Sequence, residues 1–189
     1  MNRLSDLFLS IILLVILSPF LVLISLIILL EEHKSILYVQ IRAGKDNKRF
    51  KIYKFRTMIH GAEKKGPVIT HGYEDRRITR FGMFLRKTNL DELPQLINIL
   101  MGDMSFIGPR PERPHFNEKF KHILEWEARL KIRPGLTGLA QVKNGRNPHD
   151  PSSKLKFDLD YIKRKSIVLD IQIIALTILN SINPFKFLK

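Results

Sequence analysis

The residues best suited to chemistry are two adjacent acids, Asp91 and Glu92, which follow two cations and precede Pro94. Pro94 fits best in the first turn of a helix, where its missing N–H needs no partner. That placement makes Asp91 the predicted N-cap and Glu92 the first helical residue, and capping alone would explain both acids. The same position keeps a carboxylate ionised and attracts phosphate. With Arg86 and Lys87 just before them, the acids also suit phosphoryl transfer to a carboxylate.

A second candidate is Arg110, which lies between Pro109 and Pro111. The prolines restrict the backbone on both sides and hold the guanidinium on a stiff stem. A planar fork presented in this way suits bidentate binding of phosphate. A solvated arginine in a surface turn is the alternative interpretation.

The rest of the sequence mainly excludes particular kinds of site. The chain has no cysteine, which rules out disulfides, thiolate zinc sites, iron–sulfur clusters and a thiol nucleophile. Gly61 and Gly66 have P-loop spacing, but Pro67 follows them, and neither G-x-G-x-x-G nor H-E-x-x-H occurs. A metal would therefore be held by carboxylates, which favours Mg²⁺ or Mn²⁺.

Composition indicates one folded domain with a basic surface and a long apolar segment. Of the 189 residues, 44% are hydrophobic, which excludes disorder, and 32 Lys+Arg against 18 Asp+Glu give a formal net charge of +14. Residues 7–30 form a run of 24 without a charge. As a straight helix the run would measure about 36 Å, enough to cross a hydrocarbon core of about 30 Å. No small-x-small cleavage site precedes Glu31, so a membrane segment is favoured over a signal peptide.

Pro19 lies in the middle of this run and cannot donate a hydrogen bond to the carbonyl of Val15. We expect a kink there, with the Ser18 hydroxyl donating to the preceding turn. Each arm has 11 residues and would be about 16 Å long, about half of what a span needs. A re-entrant hairpin, which enters and leaves on one face, and a kinked spanning helix both fit the sequence.

Basic residues crowd the part of the chain that follows the run. By the positive-inside rule this side is cytoplasmic, and a basic domain there would lie against an anionic leaflet. The residues are Lys34, Arg42, Lys45, Lys48, Arg49, Lys51, Lys54 and Arg56.

The remaining sequence predicts a mixed α/β domain, mostly helical. Residues 36–41 and 50–55 indicate two strands of a hairpin around a polar turn, and residues 61–72 indicate a loop. Helices are predicted at residues 94–101, 116–130, 154–165 and 167–182. The last helix is apolar on nearly all faces, which favours a buried helix over one on a membrane surface.

Several ordered blocks carry a resemblance to a known family. They are Ser18-Pro19 and the motifs at residues 53–58, 78–82, 85–96, 102–112 and 133–142. Together they resemble the bacterial polyprenyl-phosphate hexose-1-phosphate transferases, the monotopic phosphoglycosyl transferases of the bacterial sugar transferase family. The resemblance covers nearly the whole chain and is to the family's minimal catalytic form, without extra N-terminal membrane helices.

This resemblance implies a small membrane-interface domain with a re-entrant helix over residues 1–33, broken at Ser18 and Pro19. Residues 34–189 would form the catalytic domain, with amphipathic interfacial helices, on the cytoplasmic face of the bacterial inner membrane. The implied partners are a UDP-sugar donor, a polyprenyl (undecaprenyl) phosphate acceptor and anionic phospholipid, with no nucleic acid.

The resemblance also implies a mechanism. Asp91 would attack the sugar-bearing phosphorus of a UDP-sugar and release UMP, while Glu92 would hold Mg²⁺, the implied cofactor. The phosphate of the polyprenyl carrier would then attack the covalent intermediate. The implied ligands are Lys54, Arg86 and Arg110 for phosphate, and Arg133 on the nucleotide side.

Two departures from the family pattern concern the sugar and nucleotide pocket. Lys143 is interposed in the segment 142–147, and residues 164–166 replace an aromatic-rich motif. Arg113 and Pro114 resemble hexose-type members, which points to glucose or galactose rather than N-acetylated sugars.

Two alternative functions belong to other classes. A membrane-tethered, basic nucleic-acid binder would explain the net charge, but the chain has no aromatic-studded strand motif of the RRM kind and such a function leaves the apolar run unused. A non-catalytic scaffold for glycan assembly would use the membrane helix but not the acids. Enzymatic activity distinguishes the scaffold from a transferase.

Overall fold

The computed structural model describes residues 2–32, 35–62, 75–144 and 150–182, which form a mostly helical α/β fold, as the sequence predicts. The helices are α1 (Arg3–Glu32), α2 (Arg80–Thr88), α3 (Gln95–Met101), α4 (Pro114–Phe120), α5 (Leu139–Asn144), α6 (Pro151–Arg164) and α7 (Ile167–Ile182). The strands are β1 (Leu37–Ala43), β2 (Arg49–Phe55), β3 (Ser105–Ile107) and β4 (Gly135–Thr137). Lys34, most of the predicted loop at 61–72 and the departure at 145–147 lie outside the described residues.

The predicted hairpin is confirmed. β1 and β2 pair antiparallel, with Leu37 opposite Phe55 and Ala43 opposite Arg49. A 3-10 turn, Lys45–Asn47, joins them where the polar residues predict a turn. One face of β2 packs against α3 in the main core, so the hairpin lies beside the segment that carries the two acids.

A second pair of strands, β3 and β4, is parallel and was not predicted. Ser105 lies opposite Gly135, and Ile107 lies opposite Thr137. Each strand has three residues, which is too short to show the alternating pattern by which strands are predicted.

The apolar run forms one continuous helix, α1, which passes through Pro19. The Ser18 hydroxyl donates to the carbonyl of Val15 at 2.8 Å, and this is the carbonyl that Pro19 leaves without an N–H donor. The predicted role of Ser18 is confirmed. The helix assignment continues on both sides of Pro19, and the expected kink and re-entrant path stay predictions.

α1 lies against the rest of the protein at both of its ends. At its start, Arg3 donates to the carbonyls of Ile99 and Leu100 at the end of α3. At its end, the Glu31 carboxylate accepts from the backbone N–H of Phe81 in α2, at 3.1 Å. α1 is also long and apolar enough to cross a membrane, by length and composition.

The outer face of α1 is apolar and exposed. Ile24 and Ile28 are buried with Phe55 and Leu85, whereas much of the rest of the helix has no protein cover. The side chains that are at least half exposed are Leu4, Phe8, Val15, Ile16, Val22, Leu23, Leu26 and Leu30. A continuous apolar surface of this length fits contact with lipid.

α7 corrects the prediction of a buried helix, because only one of its faces is covered. Ile173 is fully buried, and Thr177 and Thr137 share a hydrogen bond of 2.6 Å between their hydroxyl groups. The opposite face exposes Ile167, Val168, Ile171, Ile178 and Leu179. α7 therefore presents a second apolar surface.

The helix predicted at residues 116–130 is also wrong as a continuous element. α4 ends at Phe120, and a separate 3-10 turn follows at Trp126–Lys131. Between them Glu125 has a φ of 61°, a left-handed conformation that an α-helix cannot contain. The break turns Trp126 and Arg129 into the interior.

Candidate active site

Asp91 and Glu92 lie in a 3-10 turn, Leu90–Glu92, that precedes α3. The prediction of Asp91 as the N-cap of the following helix is wrong, because Pro94 occupies that position. The reason is Asn89, which ends α2 with a φ of 59° and starts a tighter turn. Its carbonyl accepts from the N–H of Glu92 at 3.1 Å, so a backbone carbonyl rather than a capping side chain satisfies that amide.

Lys54 and Arg110 contact the acids. Lys54 Nζ lies 2.7 Å from Glu92 Oε1 and 3.9 Å from Asp91 Oδ2. Arg110 donates to the same Glu92 oxygen at 3.0 Å. Asp91 and Glu92 are only 6% and 5% exposed, so their charges depend on these partners rather than on bulk water. The structure therefore joins four of the residues that the sequence singles out.

Lys54 is placed by the packing of β2 on α3. The side chain of Asn98 bridges the two elements: its Oδ1 accepts from the N–H of Tyr53 at 3.0 Å, and its Nδ2 donates to the carbonyl of Lys51 at 2.7 Å. Asn98 is fully buried, so this bridge is shielded from water. The bridge fixes Tyr53, the strand residue next to Lys54, relative to α3.

Arg110 is placed by a close crossing of two backbone segments. Gly108 donates to the carbonyl of Thr137 at 2.9 Å, and Gly135 donates to the carbonyl of Pro109 at 2.9 Å. A Cβ on Gly108 would lie 2.4 Å from the carbonyl oxygen of Arg133, so a side chain there would push the segments apart. The Glu92 carboxylate raises the pKa of Arg110 above its ordinary value despite burial, so the guanidinium stays charged.

The remaining two predicted ligands are Arg86 and Arg133. Arg86, in the last turn of α2, donates from Nε to Thr57 Oγ1 at 2.7 Å. Gly82 allows α2 to approach this segment, because a Cβ there would lie 2.3 Å from the carbonyl of Thr57. Within the described ranges, no hydrogen bond or ion pair joins Arg133 to either acid.

The donor set fits Mg²⁺ only together with a phosphorylated substrate. In the described part of the chain, no group of three or more His, Cys, Asp or Glu side chains could hold a metal ion. Asp91 and Glu92 supply two carboxylates, and Mg²⁺ is usually bound by one or two carboxylates plus substrate phosphates. The arrangement does not fit a metal site made by protein ligands alone.

A buried cluster of charges behind Arg110 was missed by the sequence analysis. Arg129 forms an ion pair with Asp158 at 2.8 Å, and Lys154 is paired with Glu112. Burial alone would raise the pKa of Glu112, but the positive charges of Lys154 and Arg129 outweigh burial and lower it. Arg129 and Asp158 are 29 positions apart, on different elements, so no local pattern marks them as partners.

The comparisons with known proteins identify the family. The chain matches the family described as bacterial sugar transferase over residues 1–184, and it belongs to this family. This confirms the resemblance seen in the sequence motifs.

Three curated relatives illustrate the range of the family. A protein of Escherichia coli named UDP-glucose:undecaprenyl-phosphate glucose-1-phosphate transferase is 39% identical over 184 residues, which cover 94% of this chain and 39% of the relative. The UDP-N-acetylgalactosamine-undecaprenyl-phosphate N-acetylgalactosaminephosphotransferase of Aeromonas hydrophila is 40% identical, over 89% of this chain and 40% of the relative. The exopolysaccharide production protein PSS of Rhizobium leguminosarum is 38% identical, over 98% of this chain and 97% of the relative. The chain thus spans about two fifths of the first two relatives and nearly all of the third.

Proposed function

We propose that this protein transfers a sugar 1-phosphate from a UDP-sugar to a polyprenyl phosphate in the membrane. The observation that carries the proposal is the pair of buried carboxylates, Asp91 and Glu92, held against Lys54 and Arg110. Adjacent carboxylates surrounded by cations suit nucleophilic attack on a diphosphate. The names of the relatives support an undecaprenyl-phosphate acceptor and a nucleotide-sugar donor.

The proposed reaction has two displacements at one phosphorus atom. A carboxylate oxygen of Asp91 bonds to the sugar-bearing phosphorus, and the bond from that phosphorus to the oxygen of the departing UMP breaks. An oxygen of the polyprenyl phosphate then bonds to the same phosphorus, and the Asp91 carboxylate leaves. One diphosphate bond replaces another, so the overall reaction is close to balanced in free energy.

The two acids are assigned different roles, as the family resemblance implies. Glu92 Oε1 lies within 3.0 Å of both Lys54 and Arg110, and Asp91 Oδ2 lies 3.9 Å from Lys54. Glu92 is proposed to bind Mg²⁺, which when bound neutralises charge on the diphosphate. Asp91 is proposed as the nucleophile.

We also propose a monotopic arrangement on the cytoplasmic face of the bacterial inner membrane. Arg3 and Glu31 tie opposite ends of α1 to the same domain, which supports both ends of the helix lying on one side of the membrane. The exposed apolar faces of α1 and α7 would meet lipid, and the net charge of +14 would favour an anionic leaflet. This places the acids where a cytosolic sugar nucleotide and a carrier phosphate can both reach them.

The proposed donor is a UDP-hexose, with glucose or galactose favoured by Arg113 and Pro114, at the N-terminus of α4. The test is incubation of the purified full chain in lipid nanodiscs with Mg²⁺, undecaprenyl phosphate and a panel of UDP-sugars that includes N-acetylated ones. We expect continued UMP release over many turnovers only when both the acceptor and Mg²⁺ are present. Absence of UMP release with every donor would overturn the proposal and favour the scaffold. If added Mg²⁺ had no effect, the role of Glu92 would be wrong.

A further inference from the structure

Arg129 is a buried charged residue behind the site that contacts a carboxylate, a backbone carbonyl and an aromatic ring. Its side chain is 2% exposed, its Nε donates a hydrogen bond to Asp158 Oδ2 at 3.1 Å, and its Nη2 lies 2.8 Å from the same oxygen in an ion pair. The guanidinium also lies over the ring of Trp126, 4.5 Å from the centroid. Asp158 is equally buried, so each charge depends on the other.

The guanidinium of Arg129 also reaches the backbone of the candidate site. Its Nη2 donates to the carbonyl of Arg110 at 3.1 Å. Arg42 donates to the carbonyl of Pro111, the residue after Arg110 in the same loop, at 3.0 Å. The side chain of Arg110 in turn donates to Glu92 at 3.0 Å. A chain of contacts therefore runs from Asp158 on α6, through Arg129, to the acid pair.

We propose that Arg129, held by Asp158, is a positioning residue that fixes Arg110 against Glu92. A guanidinium can bind a carboxylate, a carbonyl and an aromatic face at once because its donors form a rigid planar fork. A lysine at this position would carry the same charge but could not keep all three contacts. The kinetic part of this inference rests on the proposed function, whereas its structural part does not.

The structural test is amide hydrogen exchange of the full chain in nanodiscs, without substrate. The variants are Arg129→Lys, which keeps the charge and is the milder change, and Asp158→Asn, which keeps the volume. The control is Arg164→Gln, which removes an exposed ion pair with Asp160 on the same helix as Asp158. We expect exchange in residues 106–113 to rise about tenfold in the two variants and not in the control. Unchanged exchange there, or a rise of equal size throughout the chain, would overturn the proposal.

The kinetic test compares Arg129→Lys with Arg110→Gln and with the double variant, measuring kcat and KM for the donor by UMP release. We expect Arg129→Lys to lower kcat/KM about tenfold and to have no further effect once Arg110 has been replaced. Independent, multiplicative losses would show a general structural role and contradict positioning through Arg110. If the wild type releases no UMP, the proposed function fails, and the exchange experiment alone decides the role of Arg129.

Discussion

Lys54 Nζ lies 2.7 Å from Glu92 Oε1, and this ion pair joins the β1–β2 hairpin to the turn before α3. The Lys54 side chain is 15% exposed and the Glu92 side chain 7%, so the pair is largely withdrawn from water. Electrostatic interactions are stronger in such surroundings than on a solvated surface. The hairpin therefore supplies a charge to the candidate site in addition to packing on the core.

The first prediction concerns this lysine. Lys54→Met should lower kcat/KM for the donor about 100-fold, because a preorganised positive charge beside the acids is lost. The measurement is UMP release by the variant in nanodiscs. Lys51→Met is the matched control, since Lys51 is an exposed residue of the same strand, and its activity should stay near that of the wild type. Equal losses in both variants would contradict a specific role for Lys54.

The second prediction concerns the attachment of α1. Asp6 is fully buried and accepts from the Ser105 hydroxyl at 3.0 Å and from the N–H of Phe106 at 3.3 Å. Asp6→Ala should lower the free energy of unfolding by about 1–3 kcal/mol, because two buried donors lose their acceptor. Thermal unfolding in detergent measures the change. Ser5→Ala, at an exposed position on the same helix, should have a much smaller effect, and similar losses would contradict the account.

The third prediction is a pH dependence of stability that arises at Glu112. The pKa of this buried carboxyl is lowered by Lys154 and Arg129, so its contribution to stability is present above the ordinary pKa of 4.5 and is lost as the pH falls through the lower folded value. The wild type should therefore exceed Glu112→Gln in melting temperature at neutral pH, and the difference should shrink below pH 4.5. A difference that stays constant with pH would contradict the assignment.

The fourth prediction concerns topology. Because both ends of α1 contact the same domain, single cysteines at Asn2 and Ser35 should react with an impermeant thiol reagent from the same, cytoplasmic side of sealed membrane vesicles. The chain has no native cysteine, so the labelling has no background from its own residues. Replacing Ser18 and Pro19 by Ala should favour a straight helix and move position 2 to the far side. Labelling of the wild-type positions from opposite sides would show a spanning helix.

Local patterns explain which elements could be predicted. The hairpin, α6 and α7 have a regular apolar spacing or a polar turn within a few residues, and the sequence places them within a few positions. The role of Ser18 also follows from local chemistry, since Pro19 leaves one carbonyl without a donor. Such features depend on neighbours in the chain, which the sequence displays directly.

Features that depend on tertiary contacts could not be predicted. The exposed face of α7 follows from which surfaces the other elements leave uncovered. The break at Glu125 depends on the burial of Trp126, and the 3-10 turn of the acids depends on the left-handed Asn89. The sequence motifs indicated Lys54 and Arg110 as candidates. Their distances to Glu92 depend on the packing of β2 on α3 and on the close approach of the backbone segments at Gly108 and Gly135.

The central claim is that Asp91 forms a covalent bond to the phosphate of the donor sugar. The most direct measurement is mass spectrometry of the full chain after incubation with a UDP-sugar and Mg²⁺ in the absence of the polyprenyl acceptor. We expect UMP in the solution and an added sugar phosphate on the peptide that contains Asp91, absent in Asp91→Asn and removed when polyprenyl phosphate is added. Turnover that persists in Asp91→Asn, or an adduct at another residue, would contradict it.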